Sequence, residues 1–280
     1  MQQIGLACWG MRELPLSEQV ALCKKLHAFT MELDIANAAG GLSLDAGEED
    51  LQNVRTLFEK AGLPLAWAAT GNDFTLPDRR SLLRDADKVC RAIDICQRLQ
   101  IAHLRIFAGF SPAKEVRGER WDGLIWALGF CAKHARRAGV QRCLELHGGV
   151  RPFMSGVEHF HSASTKWDML CALVQQAPPD LAFLLDPANL WAVGEDPARY
   201  YDLIKGRIAC MHVKDFCRQE DGSLKPVACG QGGLDWKVFL AHARYEGPAF
   251  IEYENPEDVE EGMRESIRYL KMVSPAPPDA

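Results

Sequence analysis

Positive charge is in short supply. Across 280 residues, 38 acidic side chains outnumber 32 lysines and arginines, giving a formal net charge of −6. A duplex-binding protein needs a basic surface to neutralise phosphates, so nucleic acid is not an expected partner. The chain also has no apolar run of membrane-spanning length, and Met1-Gln2-Gln3-Ile4-Gly5 is not a basic segment leading into an apolar one. No membrane partner and a cytoplasmic location are therefore expected. The ten cysteines contain no C-x-x-C pair and sit mostly in apolar patterns, so they read as small, reduced core residues. No G-x-G-x-x-G turn follows the first apolar run, and no stretch has the composition of a domain linker.

What the chain does contain is an alternation of short apolar runs with longer amphipathic segments, the pattern of a parallel α/β fold. Strands are predicted at 3–9, 30–36, 63–70, 102–107, 141–147, 181–186, 207–213 and 249–254, each followed by a helical segment. Ser17 and Asp78 stand where helices open, and Gly62 and Gly139 where helices end. Eight such repeats fit a closed (β/α)8 TIM barrel better than an open doubly wound sheet. One domain is expected over residues 1–274, with a flexible tail at 275–280 whose prolines cannot continue the last helix. The long segments 148–164 and 217–233 both follow strands and read as loops. The elaborated face is then the C-terminal end of the barrel, where such folds carry their sites.

Four consecutive strands each finish in a carboxylate or an imidazole: Glu145 in Leu144-Glu145-Leu146-His147, Asp186 in Leu184-Leu185-Asp186, His212 in Met211-His212-Val213-Lys214, and Glu252 in Ile251-Glu252-Tyr253-Glu254. Burying these charges unpaired costs several kcal/mol apiece, and a shared divalent cation removes that cost. Three carboxylates and one imidazole suit Mn, Mg, Co or Fe(II) better than a thiolate zinc site does. Such an ion polarises a carbonyl, while Glu145 and Glu252 are placed to move protons on either side of it. The chemistry implied is proton abstraction alpha to a carbonyl. His147 shares a strand face with Glu145, and Lys214 shares one with His212, so both are candidate substrate contacts.

These motifs, with Asp186-Pro187-Ala188-Asn189, His212-Val213-Lys214-Asp215, Gly230-Gln231-Gly232, Leu234-Asp235-Trp236 and Gly247-Pro248-Ala249-Phe250-Ile251-Glu252, resemble the sugar phosphate isomerase/epimerase family of xylose isomerase-like TIM barrels. The resemblance runs over residues 1–273 and is most specific in the second half. It implies metal ligands at Glu145, Asp186, His212 and Glu252, with the two glutamates doubling as acid and base. Asn189 lies three residues beyond the metal aspartate, where ketose 3-epimerases carry a substrate-binding histidine, and Arg218 is the implied substrate arginine of the loop after His212. A small ketose, inosose or related hydroxy-carbonyl compound is the implied substrate, and a homo-oligomer the implied assembly.

Other readings stand beside this one. Each strand-end group taken singly is also compatible with a structural role, and Glu254 shares a face with Glu252. The same site serves a lyase or dehydratase, and a barrel that binds no metal would be a non-catalytic subunit. An endonuclease IV-like trinuclear zinc site needs more strand-end histidines than are present. His159 and His161 fall in the segment 148–164 and read as a solvated pair, with a second metal site as the competing reading. Trp9, Trp67 and Trp191 near strand ends are compatible with sugar stacking or with core packing.

Overall fold

Apolar runs that cannot stay in water become the strands. In a computed structural model that describes residues 3–36 and 40–274, they are β1 (Ile4–Leu6), β2 (Leu33–Ile35), β3 (Trp67–Thr70), β4 (His103–Phe107), β5 (Gln141–Glu145), β6 (Ala182–Leu185), β7 (Ile208–Val213) and β8 (Ala249–Ile251). They form one curled, parallel, eight-stranded sheet in the order β1-β8-β7-β6-β5-β4-β3-β2. From β2 to β8 every strand therefore lies beside its successor in the chain, and β1 lies beside β8. An isolated parallel bridge also joins Leu6 to Met31, just ahead of β2. Backbone hydrogen bonds of 3.0 Å run there from Leu6 N to Thr30 O, from Glu32 N to Leu6 O and from Phe29 N to Ile4 O.

Helices return the chain from each strand to the next: α1 (Leu16–Lys25), α2 (Glu48–Ala61), α3 (Arg79–Leu99), α4 (Glu119–Ala138), α5 (Trp167–Gln176), α6 (Pro187–Ala192), α7 (Pro197–Ile204), α8 (Trp236–Ala243) and α9 (Val259–Val273). Their ends follow local chemistry. The Asp78 carboxylate accepts a hydrogen bond from Ser81 N at the start of α3, and Gly62 and Gly139 take the left-handed conformation that ends α2 and α4. None of the described helices is long and apolar enough to cross a membrane. The expected tail at 275–280 lies outside the described residues.

Two expectations are corrected. The segments 148–164 and 217–233 are not loops throughout. Gly149–Phe153 and Gly156–Phe160 form an antiparallel hairpin, Asp215–Arg218 and Leu224–Val227 form a second, and the two join through Leu224 opposite Val157 into one four-stranded sheet. The strands of the main sheet are also shorter than predicted: Trp9 opens a 3-10 turn (Trp9–Met11), Asp186 caps α6, and Glu252, Tyr253 and Glu254 lie beyond the end of β8.

The interior of the curl is layered. Ala7, Trp67, Cys143, Leu184, Cys210 and Phe250 pack into one buried cluster. Four of these residues lie two positions before Glu145, Asp186, His212 and Glu252. Side chains two apart on a strand share a face, so the four polar groups form the next layer up, at the C-terminal mouth. A register shift between Phe183 and Leu184 against β7, which moves their partners from Ile208 to Cys210, brings Cys210 and His212 into that alternation. All ten cysteines are free thiols, eight of them buried.

Candidate metal centre

Glu145 ends β5, Asp186 follows β6, His212 lies in β7 and Glu252 follows β8. All four are buried, and one donor atom from each lies within 4.8 Å of all the others. Asp186 does two jobs: its Oδ1 accepts from Asn189 N at 3.0 Å, capping α6, while its Oδ2 is left for the cluster. Pro187 at the first helical position fixes that turn. His212 is aimed by Glu32, whose Oε1 lies 3.0 Å from Nε2. Its other nitrogen, Nδ1, faces Oε1 of Glu252 at 3.5 Å and Oε1 of Glu145 at 3.9 Å, and it has no hydrogen-bond partner.

Two cations stand among the carboxylates. Lys214 places Nζ 2.6 Å from Glu252 Oε2, 2.7 Å from Glu254 Oε1 and 3.2 Å from Asp186 Oδ2, the last at an angle that makes no hydrogen bond. Arg105, buried on β4, holds Nε 3.5 Å from Glu145 Oε2 and lies 4.2 Å over the Phe107 ring. Glu32, Glu145, Asp186, Glu252 and Glu254 thus outnumber the cations set against them.

The environment splits the two glutamates. Burial pushes Glu145 above the usual carboxylate range, against the pull of His212 and Arg105. Burial pushes Glu252 the same way, but the Lys214 ammonium and the His212 imidazole hold it well below that range. Asp186 is pushed up to about 6 by burial, against the nearby Lys214. Burial disfavours the charged His212, yet Glu32, Glu252 and Glu145 hold its imidazole well above the ordinary histidine range.

The donor set fits a hard divalent cation. Oxygen donors dominate, the unpartnered His212 Nδ1 points among them, and the excess of carboxylates leaves negative charge for an ion to balance. A histidine whose far nitrogen hydrogen-bonds a carboxylate is the arrangement that holds a metal ligand in orientation.

The remaining candidates fall at different distances from this cluster. Asn189 is buried inside it, donating from Nδ2 to Glu145 Oε1 at 3.3 Å, while its Oδ1 has no partner. His147 packs edge-on against Phe107 and Phe110, with Nδ1 2.5 Å from Gly148 O, and burial lowers it to about 4. Lys214 is central. Arg218 is exposed, donating to Gly222 O and lying 5.5 Å over the Trp191 ring, and no contact joins it to the four-residue cluster. Trp67 belongs to the interior layer, stacked on His103.

His161 makes contacts with Thr165 O and Glu195, and His159 is buried, which corrects the reading of a solvated pair. Glu32 and Arg105 were not anticipated. The signal was there: each is a charge inside an apolar run, Met31-Glu32-Leu33 and Leu104-Arg105-Ile106.

No protein of curated function matches the chain by sequence. Solved structures match it almost end to end. D-allulose 3-epimerase from Methylomonas sp. superposes with a TM-score of 0.77 at 16% identity, over 97% of this chain and 97% of that one. The probable 3-DHS dehydratase AsbF from Bacillus anthracis gives 0.76 at 13% identity, over 96% and 99%. The IOLI protein with a bound zinc atom gives 0.76 at 15% identity, over 97% and 98%. At such identities the likeness is one of fold. The profile of the xylose isomerase-like TIM barrel family matches residues 20–273, and the chain belongs to that family.

Proposed function

We propose that this protein is a divalent-metal-dependent isomerase or epimerase acting on a small polyhydroxylated carbonyl compound by proton transfer through an enediolate. The observation that carries this is the convergence of Glu145, Asp186, His212 and Glu252, with His212 Nδ1 left unpartnered between the two glutamates. These four residues would hold the ion: Mn, Mg, Co or Fe(II) by donor chemistry, with zinc bound in one relative of the fold. When bound, the ion polarises the substrate carbonyl and so acidifies the neighbouring carbon.

The chain's own groups then move the proton. Glu145 approaches from β5 and Glu252 from β8, with the aspartate of β6 and the histidine of β7 between them in the sheet. A substrate carbon between the glutamates loses its proton to one carboxylate and regains one from the other, which inverts a centre or shifts a carbonyl to its neighbour. Asn189 Oδ1 and His147 offer polar contacts at the same mouth, and Arg218 at its rim is the remaining proposed substrate contact. Phe107 and Phe110, with ring centroids 4.8 Å apart, line the His147 side with apolar surface.

A lyase is the second reading, and one contrast favours it: burial holds Glu145 above the usual carboxylate range while Lys214 and His212 keep Glu252 ionised, which sets a proton donor opposite a base, as loss of hydroxide beta to a carbonyl requires. The dehydratase among the matched structures shares the fold.

The sheet is read as a closed (β/α)8 barrel, supported by the hydrogen bonds between β1 and the residues before β2, and residues 1–274 as one domain. A cytoplasmic location, a sugar or polyol-derived substrate, no nucleic-acid or membrane partner and a homo-oligomer complete the proposal.

The test is elemental analysis of protein purified without chelator, together with incubation in heavy water with ketoses, inososes and hydroxypyruvate. About one equivalent of divalent metal and solvent deuterium alpha to the carbonyl is expected. A product lacking the elements of water selects the lyase; failure to bind any divalent metal after reconstitution rejects both.

A further inference from the structure

His159 has no part in the proton transfers above, yet it is the one histidine among the described residues with both ring nitrogens buried and without a hydrogen-bond partner. Only 9% of the residue is exposed. It lies in the strand Gly156–Phe160, opposite Val150 in one hairpin, and that strand is tied to the second hairpin through Val157 and Leu224. Its ring packs on Phe216 with centroids 4.9 Å apart, and the Phe216 ring in turn lies 5.6 Å from Lys214 Nζ. His159 is thus held one aromatic ring away from Lys214, the ammonium set among the carboxylates of the metal centre, by a sheet built from two excursions of the chain. Burial, reinforced by the nearby His147 and Lys214, lowers it to about 3.

A neutral imidazole carries one N–H donor and one bare nitrogen acceptor. Buried polar atoms are nearly always paired, so a ring with both nitrogens orphaned points to a partner outside the chain. A hydroxyl group matches it on both counts, because it too donates and accepts. A phosphate or carboxylate does not, since it only accepts and prefers a cation. Lys214 supplies no free charge here, being engaged by Asp186, Glu252 and Glu254.

We propose that His159 is a substrate-binding residue that hydrogen-bonds a hydroxyl of the substrate, so that the end of the substrate reaching the hairpin sheet is a hydroxyl and not a phosphate. This deepens the isomerase reading and rests on it for the identity of the natural ligand.

The experiment observes the imidazole nitrogens by NMR in the full-length, Mg2+-loaded protein, with the His159 signals identified by their loss in His159→Phe. Xylitol is expected to shift them and inorganic phosphate to leave them in place. His159→Phe, which keeps the ring against Phe216, should bind xylitol about tenfold more weakly, the loss of one hydrogen bond. His159→Gln, which keeps a donor and an acceptor, should recover most of that loss, and both variants should retain wild-type Mg2+ content and circular dichroism. Unmoved His159 signals at the highest soluble xylitol, or equal affinity in His159→Phe, overturn the assignment, and signals moved by phosphate alone overturn the hydroxyl preference. Xylitol contact at His159 without solvent deuterium entering any carbonyl probe would keep this inference and reject the isomerase.

Discussion

The ammonium of Lys214 lies 2.6 Å from Oε2 of Glu252, inside the group of residues proposed to hold a cation. The lysine already neutralises part of the charge a metal would neutralise. Replacing it as Lys214→Met strips a buried charge from its partners, which costs about 3–5 kcal/mol. That loss should be large in chelator-treated protein and clearly smaller with Mn2+ present, since the ion offsets the same carboxylates. Urea unfolding with and without Mn2+ measures the difference. An identical loss in both conditions would mean that lysine and metal serve different groups.

Glu32 fixes the ring of His212 through a 3.0 Å contact at Nε2. Glu32→Gln keeps the size but not the charge that orients and polarises the imidazole, and removing such a partner weakens metal binding about 10- to 100-fold. Calorimetric titration with Mn2+ reads this directly. Wild-type affinity in the variant would show that the contact is structural only.

The two glutamates carry the sharpest claim on catalysis. Glu145→Gln and Glu252→Gln should each abolish turnover and exchange of the substrate's alpha proton, with the circular dichroism spectrum unchanged. Full activity in either variant would sink the mechanism of two proton-moving groups.

The depressed basicity of His159 also makes a prediction about stability. Unfolded, the imidazole takes up a proton near its ordinary pKa of about 6.5; folded, it stays neutral down to about 3. Its contribution to stability is therefore fully present above the unfolded pKa and is lost as pH falls from there toward 3, by up to about 1.4 kcal/mol per pH unit. Plotting unfolding free energy against pH between 6.5 and 4 should show a shallower acid limb for His159→Phe than for wild type. Parallel limbs would place the proton elsewhere.

How much of this was legible in the chain varies from residue to residue. Glu145, Asp186, His212 and Glu252 each follow an apolar run, and a strand's two-residue period carries such a position from the buried layer to the mouth. Gly62, Gly139 and Asp78 marked helix ends because left-handed backbone and N-caps are local requirements met by few residue types. The hairpins were missed because Val150, Arg151 and Pro152 lack an apolar alternation; their pairing comes from cross-strand partners, among them Leu224 against Val157. Arg218 sits in the expected segment, but the direction of its strand takes it to Trp191 at the rim and not to the cluster.

The sequence by itself determined the alternation of strands and helices, the polar strand ends and the kind of ion they suit, because each depends on short-range periodicity and residue chemistry. Tertiary structure alone decided which groups meet: Glu32 with His212, 180 residues apart, Arg105 with Glu145, and Lys214 with Asp186, Glu252 and Glu254. A buried charge is tolerable only beside its partners, and which partners those are is fixed by the curl of the sheet, a property no local stretch of the chain possesses.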